Sequence, residues 1–74
     1  MQTGRRNKKR IFNNLEAEQA RIKHTNQMVA NKLGISRVSY ENKKKSGKFT
    51  TIEIKKLCEL FRCKFDYLFA TDDE

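Results

Sequence analysis

Apolar side chains recur at helical spacing near the start of the chain. Strong helix formers predominate over residues 10–23, and Phe12, Leu15 and Ile22 fall on one side of this segment. Ile11 lies beside the same stripe. We therefore expect a first helix over residues 10–23 that packs these side chains against the rest of the protein.

Capping residues and a glycine divide the next segment into two short helices. Thr25 is a predicted N-cap, because its hydroxyl can accept a hydrogen bond from an amide of the following turn. The second helix ends at Gly34, since glycine readily takes a left-handed backbone conformation. Ser36 offers another N-cap, which predicts a third helix over residues 37–44. The inward side chains of the second helix are Val29, Ala30 and Leu33.

The second half of the chain carries the clearest buried face. Thr50 and Glu53 match a capping box, in which each side chain satisfies a free amide of the other residue. The apolar positions of the fourth helix, at helical spacing, are Ile54, Leu57, Cys58 and Phe61. A short final helix over residues 65–70 carries Phe65, Leu68 and Phe69. The pattern predicts an all-α fold, a compact bundle of about five short helices.

The positive net charge of the chain favours an anionic partner. The chain has 74 residues, which suits one domain, and a formal net charge of +8. We expect a flexible basic arm over residues 1–9, the helical domain over 10–71 and a frayed acidic tail over 72–74. A solvated lysine-rich surface and a membrane-surface contact through the arm are weaker alternatives to nucleic acid. No segment has the roughly 18 apolar residues of a membrane span or the pattern of a secretory signal, so we expect a cytoplasmic protein.

Catalytic and metal-binding patterns are weak in this sequence. Cys58 and Cys63 have a spacing that matches neither a redox pair nor a zinc site, and His24 is remote from both. No glycine-rich phosphate loop or nucleophile–base pair is recognisable. We expect reduced thiols, no metal, no cofactor, no small-molecule ligand and no enzymatic activity.

Residues 26–44 have the layout of a helix-turn-helix motif. Ala30 allows close approach of the two helices, and Gly34 permits the turn between them. Ile35 and Tyr40 anchor the second helix of the motif to the core. The Tyr40 hydroxyl needs a hydrogen-bond partner if the ring is buried.

An ordered set of residues between Asn14 and Ala70 resembles the lambda-repressor-like, Cro-type helix-turn-helix proteins. It is similar to small repressors of phages and mobile elements of Gram-positive bacteria. The residues that carry the resemblance are Asn14-Leu15, Ala17-Glu18, Ala20-Arg21, Thr25, Val29-Ala30, Leu33-Gly34-Ile35-Ser36-Arg37, Phe49-Thr50, Glu53 and Phe65-Asp66-Tyr67-Leu68-Phe69. Lys23 and His24 depart from the family pattern, which leads us to expect a glycine and an apolar residue there.

The resemblance implies that residues 37–44 form a recognition helix in the major groove. Arg37 would donate two hydrogen bonds to guanine, and Asn42 would pair with adenine. The base-facing residues implied are Arg37, Val38, Ser39 and Asn42, with Glu41 beside them. The phosphate contacts implied are Asn26, Gln27 and Ser36 from the motif, and Lys43, Lys44, Lys45 and Lys48 after the recognition helix.

The same resemblance implies a homodimer on a palindromic double-stranded DNA operator, acting as a repressor or Cro-like regulator. Tyr67 and Phe69 of the last helix are candidates for the dimer surface. The main alternative is a protein-interaction module on the same fold, such as an antitoxin or antirepressor, because fold alone does not determine function. Clustered lysines beside the recognition helix favour DNA over protein as the partner.

Overall fold

The computed structural model of the chain describes residues 12–71. Within this range the protein forms five α-helices and no strand, which confirms the predicted all-α class. The helices are α1 (Asn13–Arg21), α2 (Asn26–Leu33), α3 (Arg37–Ser46), α4 (Thr51–Phe61) and α5 (Phe65–Leu68). None of these helices is long and apolar enough to cross a membrane. The predictions for the basic arm, for Ile11 and for the acidic tail lie outside the described residues.

Three helices begin at the predicted caps. The hydroxyls of Thr25 and Ser36 accept hydrogen bonds from the backbone amides three residues later, at 3.1 and 3.0 Å. At the start of α4, Thr50 and Glu53 form the reciprocal capping box, with distances of 3.1 and 2.9 Å. Each cap satisfies an amide that has no partner within the helix, which is why these helices start where they do.

Four residues just beyond helix ends have left-handed backbone conformations in the described range. Gly34 follows α2 with a φ of 76°, and Gly47 follows α3 with a φ of 79°. Lys23 and Arg62 have φ values of 58° and 55°, although side chains disfavour this conformation. Lys23 thus has the backbone conformation that the glycine expected from the resemblance would take without strain.

Three predicted helix ends are wrong by two residues each. α1 ends at Arg21 instead of residue 23, because Lys23 leaves the right-handed helical conformation. α3 continues to Ser46 instead of residue 44, since no helix-breaking residue precedes Gly47. α5 ends at Leu68 instead of residue 70, and it consists of only one turn.

One hydrophobic core joins all five helices. Its buried residues are Phe12, Leu15, Val29, Ala30, Leu33, Tyr40, Leu57, Phe61 and Leu68. Ile22, Ile35 and Cys58 are partly buried against it. Phe49, in the segment between α3 and α4, packs with its ring centroid 5.6 Å from Phe69 and 6.2 Å from Tyr40. α3 is therefore held by the core on one side only, through Tyr40.

Of the apolar side chains at the start and end of α5, Leu68 is buried and Phe65 is exposed. The Phe65 side chain is 52% exposed, because the single turn of α5 turns Leu68 inward instead. Ile54 is half-buried, and with Phe65 it lines a cleft of about 190 Å³. The remaining lining residues of this cleft are Phe12, Gly47 and Phe69.

Replacing Lys23 with glycine tests the strain at the end of α1. We expect Lys23→Gly to raise the free energy of unfolding by roughly 0.5 kcal/mol, because relief of left-handed strain exceeds the extra entropy that glycine gives the unfolded chain. Urea denaturation followed by far-ultraviolet circular dichroism measures the change.

Lys56→Gly is the matched control for this substitution. Lys56 is exposed within α4, where glycine should lower the free energy of unfolding by about 0.5–1 kcal/mol. Destabilisation of similar size by both substitutions would contradict a strained Lys23.

Candidate nucleic-acid interface

α3 has two chemically different faces. Tyr40 on the inner face is completely buried. On the outer face Arg37, Val38 and Asn42 are exposed, and Ser39 is half-buried. These four side chains include both hydrogen-bonding and apolar groups, and they lie on the first turns of one helix. The structure thus brings the implied base-facing residues together on α3, with Glu41 beside Arg37 and less exposed than it is.

The inner face of α3 is fixed to α1 by a buried hydrogen bond. The Tyr40 hydroxyl donates to Gln19 Oε1 at 2.7 Å, which supplies the partner that a buried tyrosine requires. Burial raises the pKa of the Tyr40 phenol, so the group remains a protonated donor. Gln19 in turn donates through Nε2 to the backbone oxygen of His24 and to Asn26 Oδ1, both at 3.0 Å.

Asn26 is the centre of a polar network between α1, α2 and α3. Its Oδ1 accepts hydrogen bonds from Gln19 Nε2 at 3.0 Å and from Lys44 Nζ at 2.9 Å. Its Nδ2 donates to Glu41 Oε2 at 3.0 Å. Three of the four hydrogen bonds available to this amide are therefore made inside the protein. The side chain of Asn26, implied as a phosphate contact, instead connects the helices.

Two of the lysines implied as phosphate contacts are also bound to protein carboxylates. Lys44 Nζ lies 3.0 Å from Glu16 Oε2, and its side chain is only 10% exposed. The same ammonium lies 4.8 Å from the centroid of the Tyr40 ring. Lys43 Nζ lies 3.3 Å from Glu53 Oε1. Both lysines lie within the last turns of α3.

The other implied phosphate contacts are more accessible. Lys45 and Lys48 are exposed at the end of α3 and just beyond it. Gln27 is exposed and donates to Asn31 Oδ1 at 2.9 Å. Ser36 is exposed as well, but its hydroxyl already caps α3. Lys45 and Lys48 are therefore the best-placed cations for a polyanion that lies along α3.

Glu41 lies between α3 and α2. Its Oε2 accepts hydrogen bonds from Arg37 Nη1 at 2.8 Å and from Asn26 Nδ2 at 3.0 Å. These two donors, Arg37 first and Asn26 second, hold the pKa of the Glu41 carboxyl below its usual value. Glu41 was expected among the base-facing residues, but in the structure both of its hydrogen bonds are internal.

Sequence reasoning missed Gln19 and Glu16, which hold α3 in place from α1. Gln19 follows Leu15 by four residues and precedes Ile22 by three, so it lies on the apolar stripe of α1. A lone amide in such a stripe, together with a buried tyrosine that needs a partner, is the signal that could have identified the pair. Glu16 carries no comparable signal.

The described residues offer little to metal or covalent chemistry. Between residues 12 and 71, no group of three or more histidine, cysteine or acidic side chains could hold a metal ion. Cys58 and Cys63 are free, half-buried thiols, and burial raises the pKa of both. The cleft beside Phe12 is lined by four apolar side chains and Gly47, and none of these residues carries a titratable or nucleophilic side chain.

The described residues thus form an all-helical domain in which α3 is bonded to α1 on its inner face and exposes both polar and apolar side chains on its outer face. Comparison of the chain with models of protein families, with curated proteins and with solved structures gives no match.

Removing the Tyr40 hydroxyl tests the contact that anchors α3. We expect Tyr40→Phe to lower the free energy of unfolding by about 1–3 kcal/mol, because Gln19 Oε1 would remain buried without a donor. Chemical denaturation measures the loss. Tyr67→Phe is the matched control, since the exposed Tyr67 hydroxyl bonds Glu18 at the surface and water can replace it. Equal effects of the two substitutions would contradict a special role for the buried pair.

Proposed function

We propose that this protein binds double-stranded DNA at specific sequences as a small transcriptional regulator, with α3 in the major groove. One observation supports this most strongly: α3 is fixed on its inner side through Tyr40, and its outer side exposes Arg37, Val38 and Asn42. A helix that reads bases needs both features, because its side chains must be accessible to the bases and its orientation must be constant. The net charge of +8 favours the same anionic partner.

The proposal includes a lambda-repressor-like arrangement of the five helices. α2 and α3 pack on each other and are joined by three residues, with Gly34 in a left-handed conformation. Ala30 is completely buried beside this turn. This geometry suits a helix-turn-helix motif in which α2 lies across the DNA backbone and α3 enters the groove.

The exposed side chains of α3 fit the edges of base pairs. Arg37 can donate two parallel hydrogen bonds to guanine, and Asn42 can both donate to and accept from adenine. Val38, which is 54% exposed, can contact a thymine methyl group. Lys45 and Lys48 would neutralise phosphates beside the helix.

We further propose that the protein acts as a homodimer on a palindromic operator and represses by occupying it. Ile52 and Phe65 are 67% and 52% exposed on α4 and α5, outside the DNA-facing helix. Tyr67 is also exposed there, although its hydroxyl bonds Glu18, and Phe69 is half-buried. Two recognition helices related by two-fold symmetry would contact half-sites about 34 Å apart. A cytoplasmic location and the absence of enzymatic activity belong to the same proposal.

A protein-binding role is the second candidate. Met28 and Val38 are exposed apolar side chains on α2 and α3, where a DNA-binding surface is usually polar. An antitoxin or antirepressor would use them to dock on another protein. The cations beside α3 make DNA the better-supported partner.

Selection of bound duplexes from a random pool tests the main proposal. The wild-type protein should enrich a palindrome, and Arg37→Ala should relax the preference at one base pair in each half-site. The loss at that pair should be about 1–3 kcal/mol, the value of one bidentate contact with a base.

Lys64→Ala is the matched control, because it removes one exposed positive charge without touching α3. It should weaken binding slightly and leave the selected sequence unchanged. Binding without an enriched sequence would contradict specific recognition. Absence of binding at moderate salt would favour the protein-interaction role.

The salt dependence of affinity separates the exposed lysines Lys45 and Lys48 from Lys44, which is paired within the protein. Lys45→Ala and Lys48→Ala should each reduce the slope of log affinity against log salt by about one. Lys44→Met should leave the slope nearly unchanged, because its ammonium already binds Glu16 and Asn26.

Filter binding or fluorescence anisotropy between 50 and 200 mM salt measures these slopes. For about six neutralised phosphates, the wild-type affinity should fall roughly a thousandfold over this range. A flat response, or an equal change of slope for Lys44→Met, would contradict the assignment of the phosphate contacts.

A further inference from the structure

We infer that Glu41 is a positioning residue that orients the guanidinium of Arg37 for reading a base, and that it reads no base itself. This inference rests on the proposed function, since it concerns how the same surface attains specificity. It replaces the base-facing role implied for Glu41 by sequence. The juxtaposition that carries it is one carboxylate oxygen shared between Arg37 on α3 and Asn26 on α2.

The position of Glu41 is fixed from inside the protein. Tyr40 holds Gln19, Gln19 holds Asn26, and Asn26 donates to Glu41 at 3.0 Å. Lys44, itself bound to Glu16, fixes the oxygen side of the Asn26 amide. The carboxylate is thus attached to a network that involves three helices. The hydrogen bond from Asn26 therefore restricts the side-chain rotamers of Glu41.

Arg37 lies at the outer end of this chain of contacts. It precedes Glu41 by four residues, so the two side chains are neighbours on one face of α3. The ion pair uses Arg37 Nη1 and leaves Nε and Nη2 without a hydrogen bond to any residue between 12 and 71. These two nitrogens form an edge with parallel N–H groups, which is the geometry that guanine O6 and N7 accept.

Orientation of this edge matters because a free arginine has many rotamers. A side chain held in its binding geometry before contact loses less conformational entropy on binding. Arg37 is 50% exposed and Glu41 is 32% exposed on the side-chain scale, so the guanidinium reaches solvent while the carboxylate lies closer to the protein. The greater exposure of Arg37 favours Arg37 as the residue that contacts a base and Glu41 as the residue that orients it.

Base preferences of Glu41→Gln test the inference. The substitution keeps the size of the side chain but removes the charge that holds the guanidinium. In duplex selection, preference at the Arg37-dependent base pair should fall roughly tenfold, within the range that one bidentate contact supplies. Affinity for random duplex should not fall, because a negative charge is lost.

Glu59→Gln is the matched control. It removes the same charge from an exposed position on α4, and it should leave the base preferences unchanged. An unchanged preference at the Arg37-dependent pair in Glu41→Gln would overturn the inference. So would loss of preference at a different pair, since Glu41 would then read a base itself. Enrichment of no sequence by the wild-type protein would mean that the proposed function fails, not only the role of Glu41.

A measurement without DNA distinguishes failure of the role of Glu41 from failure of the proposed function. Nitrogen-15 relaxation of the arginine Nε–H groups should show Arg37 ordered in the wild-type protein and mobile in Glu41→Gln. Arg21, paired with Glu18 at 2.6 Å, is the ordered reference, and the exposed Arg62 is the mobile one. Equal mobility of Arg37 in both proteins would overturn the inference, whatever the result with DNA.

Discussion

The hydrogen bond between Tyr40 and Gln19 is the contact on which the orientation of α3 depends. Tyr40 is the only residue of α3 that is completely buried in the described core. A single aromatic anchor would let a short helix rotate about its axis, because hydrophobic contacts are not directional. The hydroxyl removes that freedom, since a hydrogen bond to a fixed amide has a preferred distance and angle. Asn26 and Lys44 extend the constraint along α3.

Ion pairs within the protein reduce the number of lysines near α3 that are available to an anionic partner. A chain with a net charge of +8 invites the assignment of every lysine near α3 to phosphate. Lys43 and Lys44 instead bind Glu53 and Glu16, so their contribution is largely to hold α3 against α4 and α1. The net charge of a protein indicates only that it would favour a polyanionic partner. Only the geometry of individual ammonium groups identifies which of them are available to it.

The sequence predicted those features that depend on neighbours within one helical turn. The caps at Thr25, Ser36 and Thr50 and the turn at Gly34 are local, and the structure has all of them. The end of α1 at Arg21 was not predicted, because a lysine gives no local signal for the left-handed conformation that Lys23 adopts. The roles of Asn26 and Lys44 were missed for a related reason. Their partners lie seven or more residues away, beyond the reach of a pattern within one helical turn.

A satisfied polar network between helices contributes more to geometry than to stability. An apolar core at the same place could be equally stable, because burying polar groups carries a desolvation penalty that their hydrogen bonds only offset. It would not, however, hold a carboxylate at a set distance from Arg37. Glu41 also places a negative charge beside the surface that we propose binds DNA, which would oppose general affinity for phosphates. The arrangement is advantageous only if orientation of Arg37 matters more than the lost attraction, as it does for a protein that must distinguish one sequence from many.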